Sequence, residues 1–125
     1  MTSVLLVDDD ETTNSLITSY LKKHYFIDAA VSEEEALTLV KQKKYDLVLM
    51  DINLGRGRSG IAVTKDIKKM KDYKDVPIIA VTAFAMVGDR EEFLAGGCTD
   101  YISKPFKLKD LLAMIQKYLP DSKKN

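Results

Sequence analysis

The sequence predicts an α/β fold, a doubly wound (βα)5 arrangement in which helices cover both faces of a five-stranded parallel sheet. Two observations predict it. Five short apolar runs alternate along the chain with segments whose apolar residues recur at helical spacing. The connections between them are short, and strands joined through helices in this way pair in parallel with right-handed crossovers. The length of 125 residues fits one domain and leaves no room for a second.

The five apolar runs are the predicted strands, and their composition indicates where each lies in the sheet. The first, third and fourth runs are continuously apolar, as parallel strands covered on both faces are. The second and fifth carry polar residues, which suits outer positions. In chain order the runs are Ser3–Asp8, Phe26–Val31, Asp46–Asp51, Val76–Thr82 and Thr99–Ser103.

Apolar stripes at helical spacing follow the predicted strands. The stripes are Leu16, Ile17, Tyr20 and Leu21 in the first helix, Ala36, Leu37, Leu39 and Val40 in the second, Ile61, Ala62, Ile67 and Met70 in the third, and Leu108, Leu111, Leu112, Ile115 and Leu119 in the fifth. The fourth segment, Ala85–Ala95, is the least regular, and we expect it to be the most mobile helix.

Ser32 and Glu35 form a capping box that begins the second helix. Gly96 and Gly97 end the fourth, because glycine accepts a left-handed backbone.

Composition and charge favour a soluble, cytoplasmic protein. Lys plus Arg and Asp plus Glu number 19 each, so a net charge of zero gives no electrostatic reason to expect nucleic acid or an anionic membrane as a partner. Cys98 is the only cysteine, which excludes an internal disulfide and indicates a reducing compartment. No apolar stretch approaches the roughly 20 residues of a membrane span, and no signal peptide is evident. We expect residues 1–120 to form the domain and residues 121–125 to be a frayed tail.

Polar side chains come at the carboxyl ends of the predicted strands, where doubly wound sheets bind their ligands. The first strand ends in Asp8–Asp10, the third in Asp51 and the fourth in Thr82, and the fifth leads into Lys104. Converging carboxylates repel one another unless a cation compensates, and oxygen ligands without His or Cys favour Mg²⁺. A carboxylate can also act as a nucleophile and form an acyl phosphate. The metal, a lysine and a hydroxyl would then stabilise the phosphoryl oxygens.

Each of these residues has a simpler explanation when it is taken alone. An aspartate after a strand often caps the next helix, and we assign that role to Asp10. Thr82 alone is an ordinary strand residue, and Lys104 alone is an ordinary surface lysine. A chance arrangement would need compatible groups at four separate strand ends, so we interpret the set as one site.

The chain resembles the receiver domain of two-component response regulators over nearly its whole length. The motifs that carry the resemblance are LLVDDD at Leu5–Asp10, DLVLMDINL at Asp46–Leu54, IIAVTA at Ile78–Ala83 and GGCTDYISKPF at Gly96–Phe106. The resemblance, closest to the chemotaxis-regulator type, implies a flavodoxin-like fold. It implies a signalling switch that takes a phosphoryl group from a histidine kinase or a phosphotransfer protein and acts on a downstream protein.

The resemblance also implies roles for individual residues around a Mg²⁺ cofactor. Asp51 corresponds to the phosphoacceptor. Asp8 and Asp9 correspond to the acidic pair that holds the metal together with Asp51, and Asp9 is favoured over Asp8 as the direct ligand. The main-chain carbonyl of Asn53 corresponds to a further metal ligand.

For the response to phosphorylation, the resemblance implies that Thr82 is the switch hydroxyl, Tyr101 the switch aromatic residue and Lys104 the lysine that pairs with the phosphate. The peptide Lys104-Pro105 corresponds to a cis bond of the family. The output surface is then the face built by the fourth helix, the fifth strand and the fifth helix, within residues 83–118.

Two alternative functions stay open from the sequence. A Mg²⁺-dependent phosphatase or phosphotransferase that forms an aspartyl phosphate usually needs a second acid two residues after the nucleophile, where this chain has the neutral Asn53. The loop Gly55–Gly60 is one residue longer than is usual in the family. Such a loop resembles that of receivers associated with hybrid sensor kinases, so the chain can also be interpreted as a receiver excised from one.

Overall fold

A computed structural model describes residues 2–53, 59–83 and 89–119, and it confirms the predicted (βα)5 architecture. The five strands are β1 Ser3–Val7, β2 Phe26–Ala30, β3 Leu47–Asp51, β4 Ile78–Thr82 and β5 Asp100–Ser103. The five helices are α1 Glu11–Leu21, α2 Glu33–Gln42, α3 Gly60–Lys68, α4 Asp89–Ala95 and α5 Leu108–Tyr118. A short 3₁₀ helix, Lys71–Tyr73, lies between α3 and β4 and has no counterpart among the predicted elements.

All strand pairs are parallel, and the strand order is β2-β1-β3-β4-β5. This is the order of flavodoxin-like sheets. The winding direction reverses after β1, so the carboxyl ends of β1 and β3 adjoin there and open a crevice. Every residue of β1, β3 and β4 is buried, whereas β2 and β5 lie at the edges and are partly exposed. The prediction from strand composition is therefore confirmed.

A hydrophobic core lies on each face of the sheet. On one face α2 and α3 pack through Ala36, Val40, Val63 and Ile67 onto alternate residues of the central strands. On the other face α1 and α5 pack through Ile17, Leu21, Leu111 and Ile115 onto the remaining strand residues. Two covered faces explain why the central strands are apolar throughout.

The helix boundaries follow the predicted signals. Asp10 caps α1, since its carboxylate accepts from the backbone N–H groups of Thr12 and Thr13. Ser32 caps α2 by accepting from the N–H of Glu35 at 3.1 Å, while the Glu35 carboxylate accepts from the N–H of Val31 at 3.4 Å. Gly97, just after α4, has a φ of 104°, which a residue with a Cβ rarely adopts.

The stripe predicted for α1 is partly wrong. Leu16 is 58% exposed, whereas Asn14, which the stripe omits, is buried together with Ile17 and Leu21. The side-chain amide of Asn14 donates to the carbonyl of Asp8, so a polar residue occupies a position on the inner face and Leu16 turns outward.

Strand boundaries shift by one or two residues from the prediction. The fourth strand begins at Ile78 rather than Val76, after Pro77, which has no N–H to donate. The fifth begins at Asp100 rather than Thr99, and the first ends at Val7. None of these shifts moves a residue of the predicted site away from its strand end.

Three predictions fall outside the described residues. They concern residues 55–58 of the predicted loop, residues 85–88 at the start of the predicted fourth helix, and the tail 121–125. Within the described ranges, no helix has the length and apolar character that crossing a bilayer requires.

Candidate functional site

The carboxyl edge of the sheet holds a polar pocket of about 290 Å³. Its lining includes most of the residues predicted for the site, brought together from the ends of β1, β3 and β4 and from the loop after β5. The lining residues are Asp8, Asp9, Asp10, Asn53, Asp51, Ala83 and Lys104.

Asp8, directly after β1, is 2% exposed and held by contacts on every side. Its N–H continues the pairing with β2 by donating to the carbonyl of Ala30 at 3.0 Å. Its Oδ1 accepts from the N–H of Asp10 at 2.9 Å, and its Oδ2 accepts from Lys104 Nζ at 3.2 Å. Asp9, the next residue, is exposed and lies at the rim of the pocket.

Asp51, the last residue of β3, is 5% exposed. Its Oδ1 accepts from the backbone N–H of Asn53 at 3.0 Å, and its Oδ2 lies 3.6 Å from Lys104 Nζ. Burial, and then the nearby carboxylate of Asp8, raise the pKa of Asp51 to about 6, although the N–H of Asn53 and the charge of Lys104 act in the opposite direction. The carboxylate form is therefore destabilised by its surroundings, and a further cation would relieve that destabilisation.

Lys104 joins three strand ends. Its backbone N–H donates to the carbonyl of Thr82 at 2.7 Å, and its ammonium group bridges Asp8 and Asp51. Burial alone would lower the pKa of Lys104, but the carboxylates of Asp51 and Asp8 outweigh it and raise that pKa. The peptide Lys104-Pro105 is cis, as the resemblance implies.

Thr82 ends β4 beside β3 and is 1% exposed. It lies one residue beyond Val81, the register partner of Asp51. On the far side, Thr82 pairs with Ser103 of β5. Tyr101, also on β5, is half-buried, and its ring packs against Phe93 of α4 with centroids 6.0 Å apart.

The three carboxylates could hold a divalent cation. Asp8, Asp9 and Asp51 each offer an oxygen atom, and these oxygens lie within 4.8 Å of one another. Mg²⁺ binds oxygen at about 2.0–2.1 Å, keeps several waters and takes one or two carboxylates, so small side-chain rotations suffice to ligate it. Lys104 supplies one positive charge against the three carboxylates of this cluster, and a divalent cation would balance the charge that remains among them.

Sequence reasoning missed two residues that shape this site. Asn14 is polar at a buried helix position, and its spacing of three and seven residues from Ile17 and Leu21 is the signal that would have found it. Gly60 begins α3 against the end of β3, and a Cβ there would meet the carbonyl oxygen of Asp51 at 2.2 Å. No spacing rule reveals such an approach between distant parts of the chain.

Comparison with known proteins points consistently to one family. Residues 4–116 match the family model of the response regulator receiver domain. The polar-differentiation response regulator DivK of Brucella ovis is 40% identical over 121 residues, which are 96% of this chain and 98% of that protein.

Solved structures give the same result. The chemotaxis protein CheY4 of Vibrio cholerae has a TM-score of 0.90 at 28% identity, covering 95% of this chain and 99% of its own. The receiver domain of a sensor histidine kinase from Pseudomonas aeruginosa PAO1 has a TM-score of 0.83 at 33% identity. The match covers 94% of this chain and 96% of that domain. That structure holds a magnesium ion coordinated in its active-site cleft.

Proposed function

The chain belongs to the response regulator receiver domain family, and from that premise we propose that Asp51 is its phosphoacceptor. Receiver domains are phosphoacceptor switches of two-component systems, and their phosphoryl group comes from a histidine kinase or a phosphotransfer protein. The family binds Mg²⁺ in its active site. For this chain we assign the metal to Asp8, Asp9, Asp51 and the main-chain carbonyl of Asn53.

A single observation carries the proposal: the Asp51 carboxylate lies among two further carboxylates and one lysine at the carboxyl end of β3, in a pocket open enough to admit a phosphodonor. Among the described residues, the lining of the pocket offers no His, Cys or Ser as an alternative acceptor. When a carboxylate oxygen of Asp51 attacks phosphorus, the bond from phosphorus to the donor breaks and the dephosphorylated donor leaves. The product is an acyl phosphate, which water can later hydrolyse.

The neighbouring groups have separate tasks in that reaction. Mg²⁺, when bound, neutralises charge on the transferring phosphoryl group. The Lys104 ammonium, 3.6 Å from Asp51 Oδ2, would pair with a phosphoryl oxygen and keep a positive charge because the pKa of Lys104 is raised. The N–H of Asn53 holds the other carboxylate oxygen and so orients Asp51 for attack. We propose that the domain catalyses only its own phosphorylation and dephosphorylation.

The proposed output runs through Thr82 and Tyr101. A phosphoryl group adds about −1.5 to −2 of charge and three acceptor oxygens, to which the Thr82 hydroxyl and Lys104 would donate. Movement of Thr82 toward Asp51 leaves room beside β5 for the Tyr101 ring, which already contacts α4 through Phe93. The surface built by α4, β5 and α5, within residues 83–118, then presents a changed shape to a downstream protein.

Asp9→Ala tests the metal site. The variant should keep its fold, because Asp9 is exposed, but its Mg²⁺ affinity and its labelling by acetyl phosphate should fall at least about tenfold. Mass spectrometry after incubation with Mg²⁺ or with EDTA measures the labelling, and a magnesium titration followed by NMR measures the affinity.

Asp10→Asn is the matched control, since Asp10 lines the same pocket but is engaged in capping α1. It should keep Mg²⁺-dependent labelling. Normal labelling of Asp9→Ala would remove Asp9 from the metal site, and labelling of the wild type that persists in EDTA would contradict the proposed mechanism.

The output surface is testable with beryllofluoride, a phosphoryl mimic. In the presence of Mg²⁺, the largest amide shift changes away from the pocket should fall in α4, β5 and α5, while α2 stays nearly unchanged. Thr82→Val keeps the side-chain shape without the hydroxyl. In that variant the changes near Asp51 should persist, and those around Tyr101 and Phe93 should shrink. Changes centred on α2, or a Thr82→Val response equal to that of the wild type, would contradict the route.

A further inference from the structure

The turn between β1 and α1 carries both residues of the acidic pair, and one buried side chain holds it. Asn14 of α1 is 5% exposed, and its Nδ2 donates to the main-chain carbonyl of Asp8 at 2.8 Å. The carbonyl oxygen of Asp8 can only accept a hydrogen bond, so the part of the Asn14 amide that faces it must be the NH₂ group.

The position of this hydrogen bond matters. Strand pairing with β2 ends at the N–H of Asp8, which donates to Ala30, so beyond that point the turn depends on other contacts. The carbonyl of Asp8 belongs to the planar peptide that joins Asp8 to Asp9. A donor on that oxygen fixes the plane of the peptide, and the plane determines the directions in which the two carboxylates leave the backbone.

The side-chain oxygen of Asn14 bears on what an asparagine does at this position. Among the described residues, Asn14 Oδ1 is buried without a hydrogen-bond partner. Leaving a buried acceptor unsatisfied is destabilising, and an apolar residue of similar size would fit a position beside Ile17 and Leu21 with less loss. The role of the asparagine therefore lies in its side-chain NH₂ group, which donates to the carbonyl of Asp8.

We propose that Asn14 is a positioning residue for the metal site: by holding the Asp8–Asp9 peptide, it sets the geometry with which the acidic pair binds Mg²⁺. The inference rests on the proposed function, because it assumes that Asp8 and Asp9 hold the metal. It adds a residue that touches neither the cation nor the phosphoryl group.

The test separates metal affinity from stability. Asn14→Leu removes the donor at nearly constant volume, and Asn14→Ala provides a second variant if leucine perturbs the fold. Val40→Ala is the control, because Val40 is buried on α2 near the opposite end of the sheet and its truncation lowers stability without touching the β1–α1 turn. Magnesium titrations by NMR and urea unfolding are measured on all four proteins.

We expect the Kd for Mg²⁺ to rise three- to tenfold in both Asn14 variants and to stay within twofold of the wild type in Val40→Ala. In the metal-free protein, the amide signal of Asp9, which shares the affected peptide, should shift in the Asn14 variants alone. Unchanged affinity in both Asn14 variants would overturn the inference while leaving the proposed function standing. An equal rise of the Kd in Val40→Ala would mean that the effect follows from lost stability, and this result would also overturn the inference. A wild type that binds no Mg²⁺ would overturn the proposed function and the inference together.

Discussion

Asp51→Asn is expected to abolish phosphorylation, reducing labelling by acetyl phosphate at least about a thousandfold while the fold is retained. The amide has nearly the shape of the carboxylate and can still accept the N–H of Asn53 through its oxygen. It has no anionic oxygen to attack phosphorus, and removing a catalytic nucleophile lowers the rate of a reaction by a factor of at least this order. Intact-protein mass spectrometry should show one hydroxylamine-sensitive phosphoryl group on the wild type and none on the variant.

The chain offers a matched control on the same strand segment. Asp46 precedes β3 at its opposite end, where its carboxylate accepts from the N–H of Ser3 at 2.9 Å. Asp46→Asn makes the same chemical change far from the pocket and should be labelled like the wild type. Phosphate found on another residue, or undiminished labelling of Asp51→Asn, would contradict the assignment of the acceptor.

The fold and the members of the site could be predicted because both depend on local sequence features. A strand covered on both faces must be apolar throughout, and the runs that contain β1, β3 and β4 show this directly. Parallel strands end at a common edge, so the polar residues that follow them must meet there. That rule alone brings Asp8, Asp51 and Lys104 together. In the structure Lys104 Nζ lies 3.2 Å from Asp8 Oδ2 and 3.6 Å from Asp51 Oδ2.

What the sequence did not reveal depends on contacts between distant residues. The stripe of α1 was expected to include Leu16, because hydrophobic periodicity counts apolar residues and assigns a buried asparagine to the surface. The spacing of Asn14 from Ile17 and Leu21 fits the buried face of α1, but the acceptor that allows an amide to be buried there, the carbonyl of Asp8, is seen only in the structure. The burial of Asp51, and then its distance from the carboxylate of Asp8, raise the pKa of Asp51, and both depend on the three-dimensional structure.

Gly60 is the second case of this kind, and it leads to the other prediction with a large effect. Gly60 begins α3, and its N–H donates to the carbonyl of Ile52 at 2.8 Å. A Cβ at this position would lie 2.2 Å from the carbonyl oxygen of Asp51 and 2.8 Å from the Cα of Ile52. Both are backbone atoms, so no side-chain rotation can relieve the overlap. The start of α3 must move away from the end of β3.

Gly60→Ala should therefore lower the free energy of unfolding by at least about 2 kcal/mol, as overpacking against a rigid neighbour does. It should also slow phosphorylation, because the strained backbone is that of Asp51 and Ile52. Urea unfolding measures the first effect. The second is measured as the initial rate of labelling by acetyl phosphate, at a temperature where circular dichroism shows the variant to be folded.

Gly96→Ala shows which part of this effect comes from backbone contact. A Cβ at Gly96 would also come close to a neighbour, but its nearest atom is the Cγ2 of Ile61 at 2.6 Å, which belongs to a side chain and not to the backbone, and the next atoms are at 3.4 Å or beyond. We expect this variant to lose less than about 1 kcal/mol and to be phosphorylated at the rate of the wild type. If Gly60→Ala behaved like Gly96→Ala, α3 would not approach the end of β3 as closely as the structure has it.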